Sequence, residues 1–127
     1  MSIGIRAAAA QMVKQEPYPS GDRGWIVNLA SVFGLVAFPH TFSYSTSKHA
    51  VMGMTKAAAQ DCAPLGVHVN AICPGWVQSA FTADTFENPA TKTMAAGLHP
   101  FRGLGTPDDI APVAVFLASD DARWITG

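Results

Sequence analysis

Trp25-Ile-Val-Asn-Leu-Ala-Ser31, set between Gly24 and Gly34, is the stretch on which the fold turns. It is short, apolar and β-branched at its start, which is the pattern of a strand buried on both faces, as in a parallel sheet. Val67-His-Val-Asn-Ala-Ile-Cys73, cut off by Pro74-Gly75, is a second run of the same kind. Between them lie a loop, Val32 to Ser43, containing Gly34 and Pro39, and a helix from Tyr44 to about Ala63. That helix carries Ala50, Val51, Met54, Ala57 and Ala58 on a common apolar side, and Pro64-Leu-Gly66 ends it. Strand, long crossover and strand make a βαβ unit, so the strands should run parallel with a right-handed crossover.

Outward from this unit, residues 2–15 read as a helix, with Ile5, Ala8, Ala9, Met12 and Val13 on one face and a strongly helix-forming Ala7–Ala10 block. The Pro- and Gly-rich stretch 16–24 is a connector. Residues 79–100 mix Thr, Ser, Asn, Pro and small residues and read as a flap of short helices. A third helix begins at Thr106-Pro107-Asp108-Asp109 and runs through Val113 and Phe116 to about Ser119. Thr106 suits the N-cap, Pro107 the first helical position, and the aspartates the positive helix end. Ile125-Thr126-Gly127 falls where a further strand is expected to begin. The fold class is α/β: a partial, doubly wound parallel sheet with flanking helices, in one domain over residues 1–127.

Hydrophobic residues make up 49% of the 127 and charged residues only 13%, roughly half the usual ~25% share. Such a chain buries most of itself or is covered by something. The net charge of −1 is scattered, so no nucleic-acid or anionic-membrane surface is expected. No apolar run reaches the ~18 residues that span a bilayer. Cys62 and Cys73 form no CxxC, and with His68 they lack metal-ligand spacing, so no metal site and no disulfide framework are expected. A reduced, cytoplasmic setting fits.

Three features carry chemistry. Tyr44 and Lys48, four apart on a helix, emerge on one face, and an ammonium beside a phenol stabilises phenolate. That pairing makes a tyrosine usable as a general acid or base, although the same spacing serves an ordinary surface pair. Ser31 stands at the carboxyl end of the first strand, where open α/β sheets place ligands. The crossover returns Tyr44 to the same sheet edge, so both hydroxyls can meet one carbonyl oxygen. Pro74-Gly-Trp-Val-Gln-Ser79 follows the second strand. There a glycine allows close backbone approach, and Val77 and Ser79 offer polar groups to something amide-like.

Asn28-Leu-Ala-Ser31, Tyr44-Ser-Thr-Ser-Lys48 and Asn70-Ala-Ile-Cys-Pro-Gly75, in that order, resemble the classical short-chain dehydrogenase/reductase family. The likeness continues through Arg102-Gly-Leu-Gly-Thr-Pro-Asp-Asp-Ile-Ala111 and Phe116-Leu-Ala-Ser119 to Trp124-Ile-Thr-Gly127. It implies a Rossmann-like architecture and an oxidoreductase using NAD or NADP to interconvert a small-molecule secondary alcohol and a ketone. By the same resemblance, Ser31 orients the substrate oxygen and Tyr44 exchanges a proton with it. Lys48 favours the phenolate and, with Tyr44, holds the nicotinamide ribose, while Pro74, Gly75, Val77 and Ser79 line the nicotinamide. Residues 79–100 become the substrate flap, with Phe38 and His40 near the pocket mouth. The helices at 2–15 and 44–63 become the surfaces of a homo-oligomer.

The pattern departs from the family in lacking the glycine-rich G-x-x-x-G-x-G turn of the dinucleotide-binding half and the residue that selects NAD or NADP. The asparagine of the family's catalytic set would precede Met1, and the closing strand would follow Gly127. The resemblance is therefore to a member truncated at both ends, poorly stable and weakly active by itself. The rival reading is a catalytically inactive remnant or a subunit that docks on an intact relative. A serine hydrolase is disfavoured, because no G-x-S-x-G is present.

Overall fold

The computed structural model describes residues 2–127. Strands β1 (Gly24–Leu29) and β2 (Val67–Ile72) pair in parallel, with Trp25 opposite His68, Val27 opposite Asn70 and Leu29 opposite Ile72. Helix α1 (Ser2–Met12) precedes them and α2 (Phe42–Cys62) joins them. The expected βαβ unit is present. Helix α1 ends short of the expected residue 15, because the chain tightens there into 3-10 bonds from Lys14 and Gln15 back to Gln11 and Met12. The Arg23 guanidinium donates to the Gln15 carbonyl, satisfying an end group that the helix leaves open.

Helices cover both faces of the sheet. On one side Ala59, Cys62, Val67 and Val69 form a core closed by Ala9, Met12 and Val13. On the other, Ile72, Leu117 and Ala122 pack with Val27, Ile110 and Ala114. This is the doubly wound arrangement the sequence suggests, with one departure. Strand β2 is well buried, but β1 is only partly covered, and Leu29 at its end is 57% exposed.

The buried face of α2 also differs from expectation. Ser45, Val51, Thr55, Ala59 and Cys62 are buried, whereas Ala50 and Ala57 are exposed. A polar pair sets this rotation. Asn28 of β1 donates through Nδ2 to Thr55 Oγ1 at 2.9 Å, and Thr55 donates to the Val51 carbonyl at 2.8 Å. A buried amide requires such a partner, so the hydroxyl face of α2 turns toward the sheet.

Beyond β2, residues 79–100, expected as a flap of short helices, do form short helices. A 3-10 turn (Ala80–Thr82) leads to α3 (Ala83–Phe86) and α4 (Pro89–Gly97). Asn88 caps α4 by accepting from the Ala90 and Thr91 amides. Helix α5 (Pro107–Leu117) starts as its sequence suggests. The Asp109 carboxylate accepts from both the amide and the hydroxyl of Thr106, each at 2.7 Å. The Thr106 hydroxyl, then its amide, and then the Arg102 charge hold the Asp109 carboxyl below the usual aspartate range. Residues 125–127 run beside β2, where the Gly127 amide donates to the Val69 carbonyl at 2.9 Å. Among the described residues no helix is long and apolar enough to cross a membrane.

Candidate active site

The ends of the two strands stay joined past their last paired residues. The Ala30 amide donates to the Ile72 carbonyl and the Val32 amide to the Pro74 carbonyl, both at 2.8 Å. Ser31, between them, is therefore set beside the Pro74 turn. Ser31 Oγ accepts from the Phe33 amide at 3.2 Å and so caps the 3-10 turn Val32–Gly34. Its own proton is not used by that bond. Gly34 lets this turn rest on α2: a Cβ there would lie 2.9 Å from the Lys48 carbonyl oxygen, closer than real contacts allow.

Tyr44 stands in the first turn of α2, and Lys48 follows one turn later. Lys48 Nζ donates to the Leu29 carbonyl at 3.0 Å and lies 5.5 Å from the centre of the Tyr44 ring. The ammonium is thus tied to the strand end that precedes Ser31. Ser31, Tyr44, Lys48, Pro74, Gly75, Val77 and Ser79 all line one open cleft of about 1120 Å³. His40 lines it as well, in a left-handed backbone conformation at φ 65°. Phe38 does not. It lines a neighbouring groove of about 490 Å³ against α2, with its ring 6.0 Å from that of Phe33.

The polar groups of the second turn are more committed than the sequence suggests. The Val77 carbonyl accepts from Thr82 Oγ1 at 2.6 Å, and the Ser79 amide donates to the same hydroxyl at 3.0 Å. Ser79 thereby caps the first turn of the flap. The Val77 amide makes no hydrogen bond among the described residues. Thr82, which sequence reasoning missed, is the buried post that fixes the turn to the flap.

His99 was missed too. Its Nε2 accepts from the Trp76 amide at 3.0 Å, while Nδ1 lies 2.8 Å from the Ala95 carbonyl. An N–H donor on one side and a carbonyl on the other define a neutral ring with its proton on Nδ1. A Cβ on Gly75 would fall 2.2 Å from Nε2, so the glycine is needed because the imidazole occupies that space. The signal in the sequence is only a histidine at the end of a flap, which nothing local links to a turn far upstream.

Aromatic rings complete the wall. Phe33 meets Tyr44 and Trp76 edge-on, each at 6.0 Å, and Phe81 lies along Tyr44 at 6.4 Å with planes 28° apart. The cleft thus offers the Ser31 and Tyr44 hydroxyls, the Lys48 ammonium and the unpaired Val77 amide within largely apolar and aromatic surroundings. Such a set can hold a carbonyl oxygen, exchange a proton with it and bind a flat amide-bearing ring.

A family model described as enoyl-(acyl carrier protein) reductase matches residues 1–127. The short-chain dehydrogenase fogB of Aspergillus ruber is 38% identical over 129 residues, covering 100% of this chain and 47% of its own. The 2-(R)-hydroxypropyl-CoM dehydrogenase of Xanthobacter autotrophicus is 37% identical, over 98% of this chain and 48% of its own. Among solved structures, 4-hydroxyisoleucine dehydrogenase complexed with NADH superposes with a TM-score of 0.86 at 35% identity, over 98% of this chain and 49% of that one. ElxO with NADP bound gives a TM-score of 0.80 at 35% identity, over 96% and 47%. The chain spans about half the length of the curated relatives it matches.

Proposed function

The chain belongs to the short-chain dehydrogenase/reductase family, and from that premise we propose that it is the catalytic segment of an oxidoreductase interconverting a secondary alcohol and a ketone. The coenzyme is NAD or NADP. The single observation that carries the reading is that Ser31, Tyr44, Lys48 and the Pro74–Val77 turn share one cleft.

The Tyr44 hydroxyl gives its proton to the carbonyl oxygen in reduction and takes it back in oxidation. Ser31 donates to the same oxygen and holds it in place. The Lys48 ammonium stands 5.5 Å from the centre of the Tyr44 ring, and its remaining N–H groups suit ribose hydroxyls. When bound, the nicotinamide supplies or accepts the hydride. The residues present fit that group: the free Val77 amide suits an amide oxygen, and Pro74, Gly75 and Ser79 give the flat ring an apolar and polar rim. Ser79 serves mainly through its position, since its amide is engaged with Thr82.

A second copy of the chain is the proposed partner. The outer sides of α1 and α2 leave Ile3 82% and Phe42 86% exposed. The cytoplasm is the proposed location, because Cys62 and Cys73 are unpaired thiols.

Titrating the purified chain with NADH and NADPH while following nicotinamide fluorescence tests the reading. Binding of one or both is expected, and binding of neither favours an inactive remnant or docking subunit. Any secondary-alcohol oxidation should fall at least about 100-fold in Tyr44→Phe. Undiminished turnover in that variant removes Tyr44 from the chemistry.

A further inference from the structure

Two observations describe what else the cleft would accept. The first is charge. Lys48 is the one Lys, Arg, Asp or Glu among its lining residues, and its ammonium already donates to the Leu29 carbonyl. Arg102 lies over the Phe101 ring at 4.8 Å, and neither residue lines the cleft. A carboxylate or phosphate on a substrate would meet one ammonium, already bonded to the Leu29 carbonyl, and an ammonium would meet no carboxylate, so the cleft favours uncharged groups.

The second is the aromatic wall. Phe33 is buried and anchors Tyr44 and Trp76 edge-on, while Trp76 packs on Phe86 at 5.7 Å. Phe81 is different. It is 80% exposed, yet its turn is fixed to the site through the Thr82 hydroxyl on the Val77 carbonyl. A large ring held in place over the cleft, with Tyr44 alongside it and most of its surface open, can bury that surface against another flat apolar body.

We propose that the cleft takes an uncharged, ring-bearing secondary alcohol or its ketone. The flat apolar body would lie between Phe81 and the Phe33–Trp76 wall, with the oxygen toward Ser31 and Tyr44. This rests on the oxidoreductase reading and names the substrate class for that site.

The test compares binding of 1-phenylethanol and 3-hydroxybutyrate to the chain, followed by shifts of the Trp76 amide and indole signals in nuclear magnetic resonance. The aromatic alcohol should bind at least about tenfold more tightly, and Phe81→Ala should loosen it about tenfold. Phe81→Leu, apolar but without a ring, should fall between. Phe81 is so exposed that neither variant should unfold the chain, and an unchanged amide spectrum elsewhere checks this. No binding of the aromatic alcohol, equal or tighter binding of the anion, or an unaffected Phe81→Ala each overturns the proposal. The two readings fail separately. Turnover that prefers 3-hydroxybutyrate sinks the apolar pocket alone, whereas tight binding of 1-phenylethanol without hydride transfer under any coenzyme sinks the oxidoreductase reading alone.

Discussion

Gly75→Ala should destabilise the chain through one atom pair, and that pair can be isolated. The added methyl would lie 2.2 Å from His99 Nε2 and 3.0 Å from Cδ2. Non-bonded atoms of this size sit comfortably at about 3.5–4.0 Å, so the imidazole must withdraw by more than about 1 Å. The Trp76 amide now donates to that nitrogen at 3.0 Å. Withdrawal takes the bond beyond hydrogen-bond length and leaves a half-buried amide unpaired, which costs about 1–3 kcal/mol. His99→Ala loses the same bond and should cost a similar amount. In the double variant the three atoms nearest the added methyl are gone, so Gly75→Ala should then cost less than about 0.5 kcal/mol. The expected coupling between the two sites is therefore about 1–2 kcal/mol. Urea unfolding at neutral pH, followed by tryptophan fluorescence, measures all four proteins. Amide hydrogen exchange at Trp76 should accelerate in each variant. Additive costs would show that His99 does not hold the turn.

Lys48→Ala removes the ammonium that joins Leu29 to Tyr44 and should weaken nicotinamide binding by about 1–2 kcal/mol, or roughly tenfold; an unchanged fluorescence titration counts against its proposed role. Thr55→Val keeps the shape but leaves the Asn28 amide without its partner, and should lower stability by about 1–3 kcal/mol despite the more apolar side chain. An unshifted urea midpoint would mean that the pair does not lock α2. Asp109 is held below the ordinary aspartate range, so its capping contribution is complete above that range and is lost as pH falls through its depressed folded value. Wild type should therefore lose more stability on acidification than Asp109→Asn, and parallel pH curves would refute the assignment.

Local pattern made much of the architecture legible. The two apolar runs, the glycine and proline stops and the Thr106-Pro107-Asp108-Asp109 start each encode an element within a few residues. The order of elements then brings Ser31, Tyr44 and the Pro74 turn to one sheet edge. The helix face was misread because it depends on Asn28 meeting Thr55, residues 27 apart in sequence. Apolar periodicity favours Ala50 and Ala57, and it cannot register that a buried amide needs a hydroxyl. The strands were expected to be covered on both faces, yet β1 ends at an exposed Leu29, because coverage depends on what packs nearby and not on the strand's own composition.

By itself the sequence determined the βαβ unit, the helix boundaries set by caps and breakers, and the residue types available to move a proton. Those follow from backbone preference and side-chain periodicity, which act over short distances along the chain. Only the tertiary structure decided that His99 occupies the space above Gly75 and that Phe33, Trp76 and Phe81 wall the cleft. These contacts join segments separated by a loop or a flap. Their geometry is set by packing between elements, which no local stretch of chain contains.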